Sequence, residues 1–123
     1  MSNRQATARA VKVPRFSLEE MESHAGEASN LLRAMASEHR LMVLCSLSQG
    51  EMSVSQLLEQ VPLAQSALSQ HLAVLRHERL VNTRREGQTV YYALQPGPAL
   101  EIIRVLYSNF CCPTPQGGRG KRS

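Results

Sequence analysis

Two groups of side chains in this sequence have types and spacings suited to chemistry. The first lies in the stretch from Ala64 to Arg76, Ala-Gln-Ser-Ala-Leu-Ser-Gln-His-Leu-Ala-Val-Leu-Arg. Taken as a helix, it carries Ala67, Leu68, Leu72 and Leu75 as an apolar stripe, while Gln65, Ser66, Ser69, Gln70, His71 and Arg76 supply donors and acceptors elsewhere. A merely solvated helix face usually carries Glu and Lys pairs, whereas uncharged Gln, Ser and His side chains suit hydrogen bonding to base edges and phosphates. Standing alone, the helix reads equally well as polar surface. The second group is the three thiols Cys45, Cys111 and Cys112. A thiolate is a nucleophile and a ligand for soft ions, but a free cysteine is also a small apolar filler. Three thiols cannot all pair within one chain, so the sequence leaves filler and sensor both open.

Composition bounds what surrounds these groups. The 123 residues favour one domain, and with 42% hydrophobic residues, no Trp, two Phe and three Tyr the core must be built from Leu, Val, Ala and Met. A core that small is commonly enlarged by dimerisation. No apolar run approaches the roughly 18 residues of a membrane span and the first residues are polar, so a soluble cytoplasmic protein without membrane association is expected.

The net charge of +4 is unevenly distributed. Residues 1–15 carry Arg4, Arg9, Lys12 and Arg15 with no acid, and the tail carries Arg119, Lys121 and Arg122, leaving the intervening residues at −3. Within them, residues 16–63 hold seven Glu against Arg33 and Arg40, whereas residues 64–95 hold four Arg against Glu78 and Glu86. Positive charge collects around the polar helix, which points to a polyanionic partner there.

The elements that must position these groups follow from periodicity and punctuation. Residues 1–15 show no period and are expected to be a disordered basic arm; residues 113–123, Gly-rich and basic, are expected to be a disordered tail. Between them, residues 16–112 form the expected domain. Ser17 and Glu20 have capping-box spacing, and Leu18, Met21, Ala25, Ala28, Leu32 and Met35 then alternate at three and four residues. That seam suits packing on the chain's own core and a dimer contact equally. Glu38–Ser48 reads as a second helix with Leu41, Leu44, Cys45 and Ser48 on one stripe, stopped by Gln49-Gly50. Cys45 then sits among apolar residues, which raise a thiol pKa, with His39 and Arg40 about a turn away as candidate helpers. Ser53 and Gln56 give a second capping box for a short helix, Val54 to Gln60, ended by Val61-Pro62. A short capped helix, a tight turn and a second helix polar on its outer face make the helix-turn-helix pattern.

Beyond His77 the period changes to two. Leu80–Glu86 and Thr89–Leu94 are β-rich runs separated by Gly87-Gln88, a hairpin in which Val90, Tyr92 and Leu94 are expected to face inward and Arg84, Arg85 and Gln88 near the tip to reach DNA. Pro96-Gly97-Pro98 breaks the strand, and Ala99, Ile102, Ile103, Leu106 and Phe110 form the apolar side of a last helix ending at Cys111-Cys112-Pro113. His24, His39 and His77 are scattered and need no more than surface or capping roles.

The order of these elements, with Ser-Ala-Leu-Ser-Gln-His-Leu-Ala-Val-Leu-Arg and then Leu-Val-Asn-Thr-Arg-Arg-Glu-Gly-Gln-Thr-Val-Tyr-Tyr-Ala-Leu, closely resembles the ArsR/SmtB repressors over about residues 27–112. The resemblance implies a mainly α winged helix-turn-helix with a β-hairpin wing. It further implies a homodimer through the first and last helices, a palindromic double-stranded operator, no enzymatic activity, no resident cofactor, and an inducer that weakens DNA binding. One departure is Arg79, where the family often has Gly. The metal-sensing members carry Cys-x-Cys in the second helix, where this chain has Val43-Leu44-Cys45-Ser46-Leu47, and another zinc site uses Asp, His and Glu on the last helix, where Glu101, Arg104 and Ser108 do not offer the set. Cys45 on the second helix and Cys111 at the end of the last resemble the persulfide-sensing SqrR/BigR/HlyU branch. In that branch two such cysteines meet within one protomer and are bridged by a disulfide or polysulfide, relieving repression. The alternatives are a site for arsenite or another thiophilic ion made by Cys45, Cys111 and Cys112, and a general thiol redox sensor.

Overall fold

The computed structural model describes residues 15–111, so the expected basic tail and Cys112, and all of the expected arm but Arg15, lie outside the described residues. The elements are α1 (Leu18–Met35), α2 (Glu38–Leu47), β1 (Met52–Ser53), α3 (Val54–Gln60), α4 (Gln65–His77), β2 (Val81–Glu86), β3 (Thr89–Leu94) and α5 (Pro98–Phe110).

Local chemistry sets most boundaries. The hydroxyls of Ser17 and Ser37 accept from the backbone N–H groups of Glu20 and Arg40, starting α1 and α2. The Ser17 box is formed in this half only, whereas at α3 both halves are present: the Gln56 N–H donates to Ser53 Oγ, and the Ser53 N–H donates to Gln56 Oε1 at 2.9 Å. Helix α4 ends in a left-handed residue. Arg79, at φ 63°, lets its own N–H reach the Arg76 carbonyl and the Leu80 N–H reach the Leu75 carbonyl, the bond pattern of a Schellman stop.

The sheet has order β1-β3-β2 and is antiparallel throughout, with Val81 opposite Leu94 and Glu86 opposite Thr89. Gly87, at φ 65°, opens the two-residue turn between β2 and β3 with the positive φ that the tight connection needs. Strand β1, which pairs Met52 with Tyr92 and Ser53 with Tyr91, was not expected from the sequence, because two residues cannot display a period. It makes β3 the central strand. For that reason Tyr91 and Ala93 are half-buried alongside Val90, Tyr92 and Leu94, and the expected clean alternation is absent.

The core joins Met35, Val43, Leu44, Leu47, Leu57, Leu68, Leu72, Leu75, Val81 and Ile103, so the stripe Leu68, Leu72, Leu75 does seat α4. Val43 and Leu47 lie beyond the expected α2 stripe because α2 is packed on several sides, by α1, α3, α4, α5 and β3. Two apolar faces are left open. Along α1 only Met35 of the seam is buried, while Leu18 and Leu32 are 71% and 53% exposed. On α5, Phe110, at the end of the expected apolar side, is 80% exposed, and Val105 and Tyr107 are exposed with it.

Candidate DNA-reading surface and thiol pair

Helices α3 and α4, joined by residues 61–64, stand as a helix-turn-helix, with the β2–β3 hairpin behind them. On α4, Gln65, Ser66, Ser69, Gln70 and Arg76 are exposed, while Leu68, Leu72 and Leu75 are buried. Ala64 at the N-cap offers no side-chain acceptor, so the first N–H groups of α4 carry the positive end of the helix without a local partner. His71 is placed differently. It is half-buried, with Nδ1 3.3 Å from Arg40 Nη1 and its ring centroid 5.9 Å from that of His39. Burial, then Arg40, then His39, push the His71 pKa down from its ordinary value.

The wing arginines differ as sharply. Arg84 lies opposite Tyr91 in the ladder and sets its guanidinium 4.8 Å from that ring centroid. Its Nε donates to both Glu51 carboxylate oxygens at 3.1 and 3.2 Å, and its Nη1 donates to Glu86 at 3.1 Å. The hydrogen bond from Arg84 holds the Glu51 carboxyl below the usual range, and the same bonds raise Arg84 further. Arg85, on the opposite face of β2, has no ion pair among the described residues and is exposed, as is Gln88 at the tip.

The thiols sit on the far side of α2. Cys45 is half-buried and Cys111, the C-cap of α5, is exposed; both are free. A cleft of about 470 Å³ opens between the two helices, with Cys45, Gln49, Ile103, Arg104, Tyr107 and Ser108 among its lining residues. Burial raises the Cys45 pKa, and the charge of Cys111 raises it further. The expected helpers of Cys45 do not serve it. Arg40 is turned toward α1 and α4, donating from Nε to the Ala34 carbonyl at 2.6 Å and contacting His71, and His39 stacks toward His71. Among the described residues no three His, Cys, Asp or Glu side chains come together as metal ligands would.

Residues 37–83 match the family model described as bacterial regulatory protein, arsR family. The transcriptional activator HlyU of Vibrio cholerae is 48% identical over 96 residues, covering 78% of this chain and 89% of that protein. This chain belongs to the ArsR family. A second relative, the biofilm growth-associated repressor of Xylella fastidiosa, is 40% identical over 99 residues, 80% of this chain and 87% of that protein. Among solved structures, reduced HlyU from V. cholerae superposes with a TM-score of 0.72 at 49% identity, over 76% of this chain and 99% of that one. The fold is therefore the winged helix-turn-helix of ArsR regulators, and the protein is a DNA-binding transcriptional regulator and not an enzyme. No helix of the described residues is long and apolar enough to cross a membrane.

Proposed function

We propose that the protein is a homodimeric repressor that binds a palindromic double-stranded operator and releases it when reactive sulfur bridges Cys45 and Cys111. The observation that carries this reading is where the two thiols stand. Cys45 on α2 and Cys111 at the end of α5 stand on helices that pack together, near enough that the charge of one raises the pKa of the other. The relative described as reduced HlyU has a named redox state, which agrees with a thiol-based switch in this group.

The chemistry needs an electron acceptor, and a polysulfide supplies it. The exposed Cys111 thiolate attacks a sulfane sulfur, the polysulfide S–S bond breaks, and the shortened polysulfide leaves with the electron pair. Cys45 then attacks the Cys111 sulfur and expels hydrosulfide, so the two thiols are oxidised by two electrons to a disulfide while one sulfane sulfur is reduced to sulfide. A further sulfane sulfur inserted before closure leaves a polysulfide bridge instead. Tying α2 to α5 shifts α4 relative to the dimer axis, so the two copies no longer match half-sites about one DNA turn apart.

The open faces of α1 and α5 supply the dimer surface, and Gln65, Ser66, Ser69, Gln70, His71, Arg76, Arg84, Arg85 and Gln88 are the residues proposed toward DNA. Fluorescence anisotropy of an operator duplex, titrated with sodium tetrasulfide, tests the switch. C45S and C111S should bind as the parent does and fail to release. Full release in both variants overturns the mechanism, and release by stoichiometric arsenite that is lost in C112S points to the three-thiol alternative.

A further inference from the structure

Among the described residues, the mostly apolar packing of α2 on the reading helix holds one side-chain hydrogen bond. Arg40, in the first turn of α2, bonds the Ala34 carbonyl with Nε and places Nη1 3.3 Å from Nδ1 of His71. His71 stands between the exposed Gln70 and the buried Leu72, in the middle of the face proposed toward DNA. A guanidinium is always charged and only donates, so His71 Nδ1 has to be the acceptor. The ring is therefore neutral, with its proton on Nε2. A second proton lands on Nδ1, facing the guanidinium; it removes the hydrogen bond and sets two like charges against each other. The titratable and charged groups acting on His71 are Arg40 and His39, both from α2 and both cationic when charged.

We infer that Arg40 is a positioning residue for operator reading: it seats α4 on α2 by holding His71 as a neutral acceptor, so that acid loosens the reading helix and weakens operator binding. The inference rests on DNA binding alone and does not depend on the thiol chemistry. Its sign is opposite to the general one, since protonating surface histidines adds positive charge and tightens binding to a polyanion. Because burial and Arg40 push His71 down, the weakening sets in below the ordinary histidine range.

The test is operator affinity of the full reduced chain at about pH 7.5 and about pH 5.5, by anisotropy with a duplex selected from random-sequence DNA. The parent should lose a few-fold on acidification, less than the roughly tenfold that a group at the ordinary histidine pKa gives one pH unit below it. His71→Asn keeps an acceptor at the Nδ1 position at both pH values, so it should lose less than about twofold, within the spread of a neutral contact. Arg40→Met should be weak at both pH values. An acid loss in His71→Asn as large as the parent's, or a parent that binds as tightly at the lower pH, overturns the inference. Because Arg40→Met also gives up the bond to Ala34, His71→Asn, in which that bond stays, decides the matter.

Discussion

Glu51, just ahead of β1, reaches across the central strand to hold Arg84 of β2 in a bidentate grip above the Tyr91 ring. Arg84 belongs to one outer strand, Glu51 adjoins the other, and Tyr91 belongs to the strand between them, so the pair closes over the sheet. An arginine matched on its planar fork by a carboxylate and stacked on an aromatic ring is fixed in direction and largely neutralised. Among the described residues the wing thus presents one unpaired cation of two. Arg84 is held against the sheet, and the proposed phosphate contact falls first to the exposed Arg85.

The salt dependence of operator binding separates these roles. Each phosphate contact adds about one unit to the slope of log affinity against log salt, so Arg85→Ala should lower the slope by about one and weaken all DNA sequences alike. Arg84→Ala should change it less. Glu51→Gln frees the Arg84 guanidinium and should steepen the slope. Equal slopes for Arg84→Ala and Arg85→Ala would show that Arg84 leaves Glu51 when DNA binds.

What the sequence disclosed and what it hid divide along contact distance. Helices announced themselves by caps and by apolar spacing, because Ser53 with Gln56 or Leu68 with Leu72 and Leu75 are relationships within one or two turns. The hairpin was legible for the same reason, through Gly87 between two β-rich runs. The sequence did not show that Arg84 pairs with Glu51, which lies 33 residues away in the chain, and it offered Arg40 to Cys45 because the true partner His71 is 31 residues distant. Nothing local marks either pairing. The α1 seam was ambiguous in principle, since one sequence cannot say whether Leu18 and Leu32 face the same chain or another copy.

The Arg79 stop on α4 invites a stabilising substitution. A side chain at φ 63° crowds its own backbone, at a cost of about 1 kcal/mol that Gly does not bear. Arg79→Gly should therefore raise stability by about 1 kcal/mol, or roughly 4–8 °C in Tm for a domain of this size. Thermal melts followed by circular dichroism measure this, and an unchanged or lower Tm would mean that the Arg79 side chain holds a contact worth as much as the strain.

Leu32 separates the dimer from the fold. It is 53% exposed in the single chain, so Leu32→Glu should leave the helical spectrum intact while sedimentation shifts from dimer to monomer. Leu44→Ala, at a position with no exposure, should instead cost about 2–5 kcal/mol of stability. A monomeric parent, or a dimer untouched by Leu32→Glu, would remove α1 from the interface.

The thiol pair predicts an ordered pH response. Burial and the neighbouring Cys111 charge raise the Cys45 pKa, so at neutral pH its thiolate is scarce and alkylation by iodoacetamide should be slow, climbing only in the alkaline range above an ordinary thiol. Exposed Cys111 should react first. Removing that charge with Cys111→Ser takes away one of the two causes, so the Cys45 rate profile should move to lower pH, read by mass mapping of the peptide that carries Cys45. The sign for the fold follows from the same shift. A group whose pKa is higher folded than unfolded favours the folded state below the unfolded value and loses that contribution as pH rises, so the parent should weaken in alkali more than Cys45→Ser does. A Cys45 profile that stays in place in Cys111→Ser would mean that the two thiols do not sense each other and that the bridge needs a larger movement of α5.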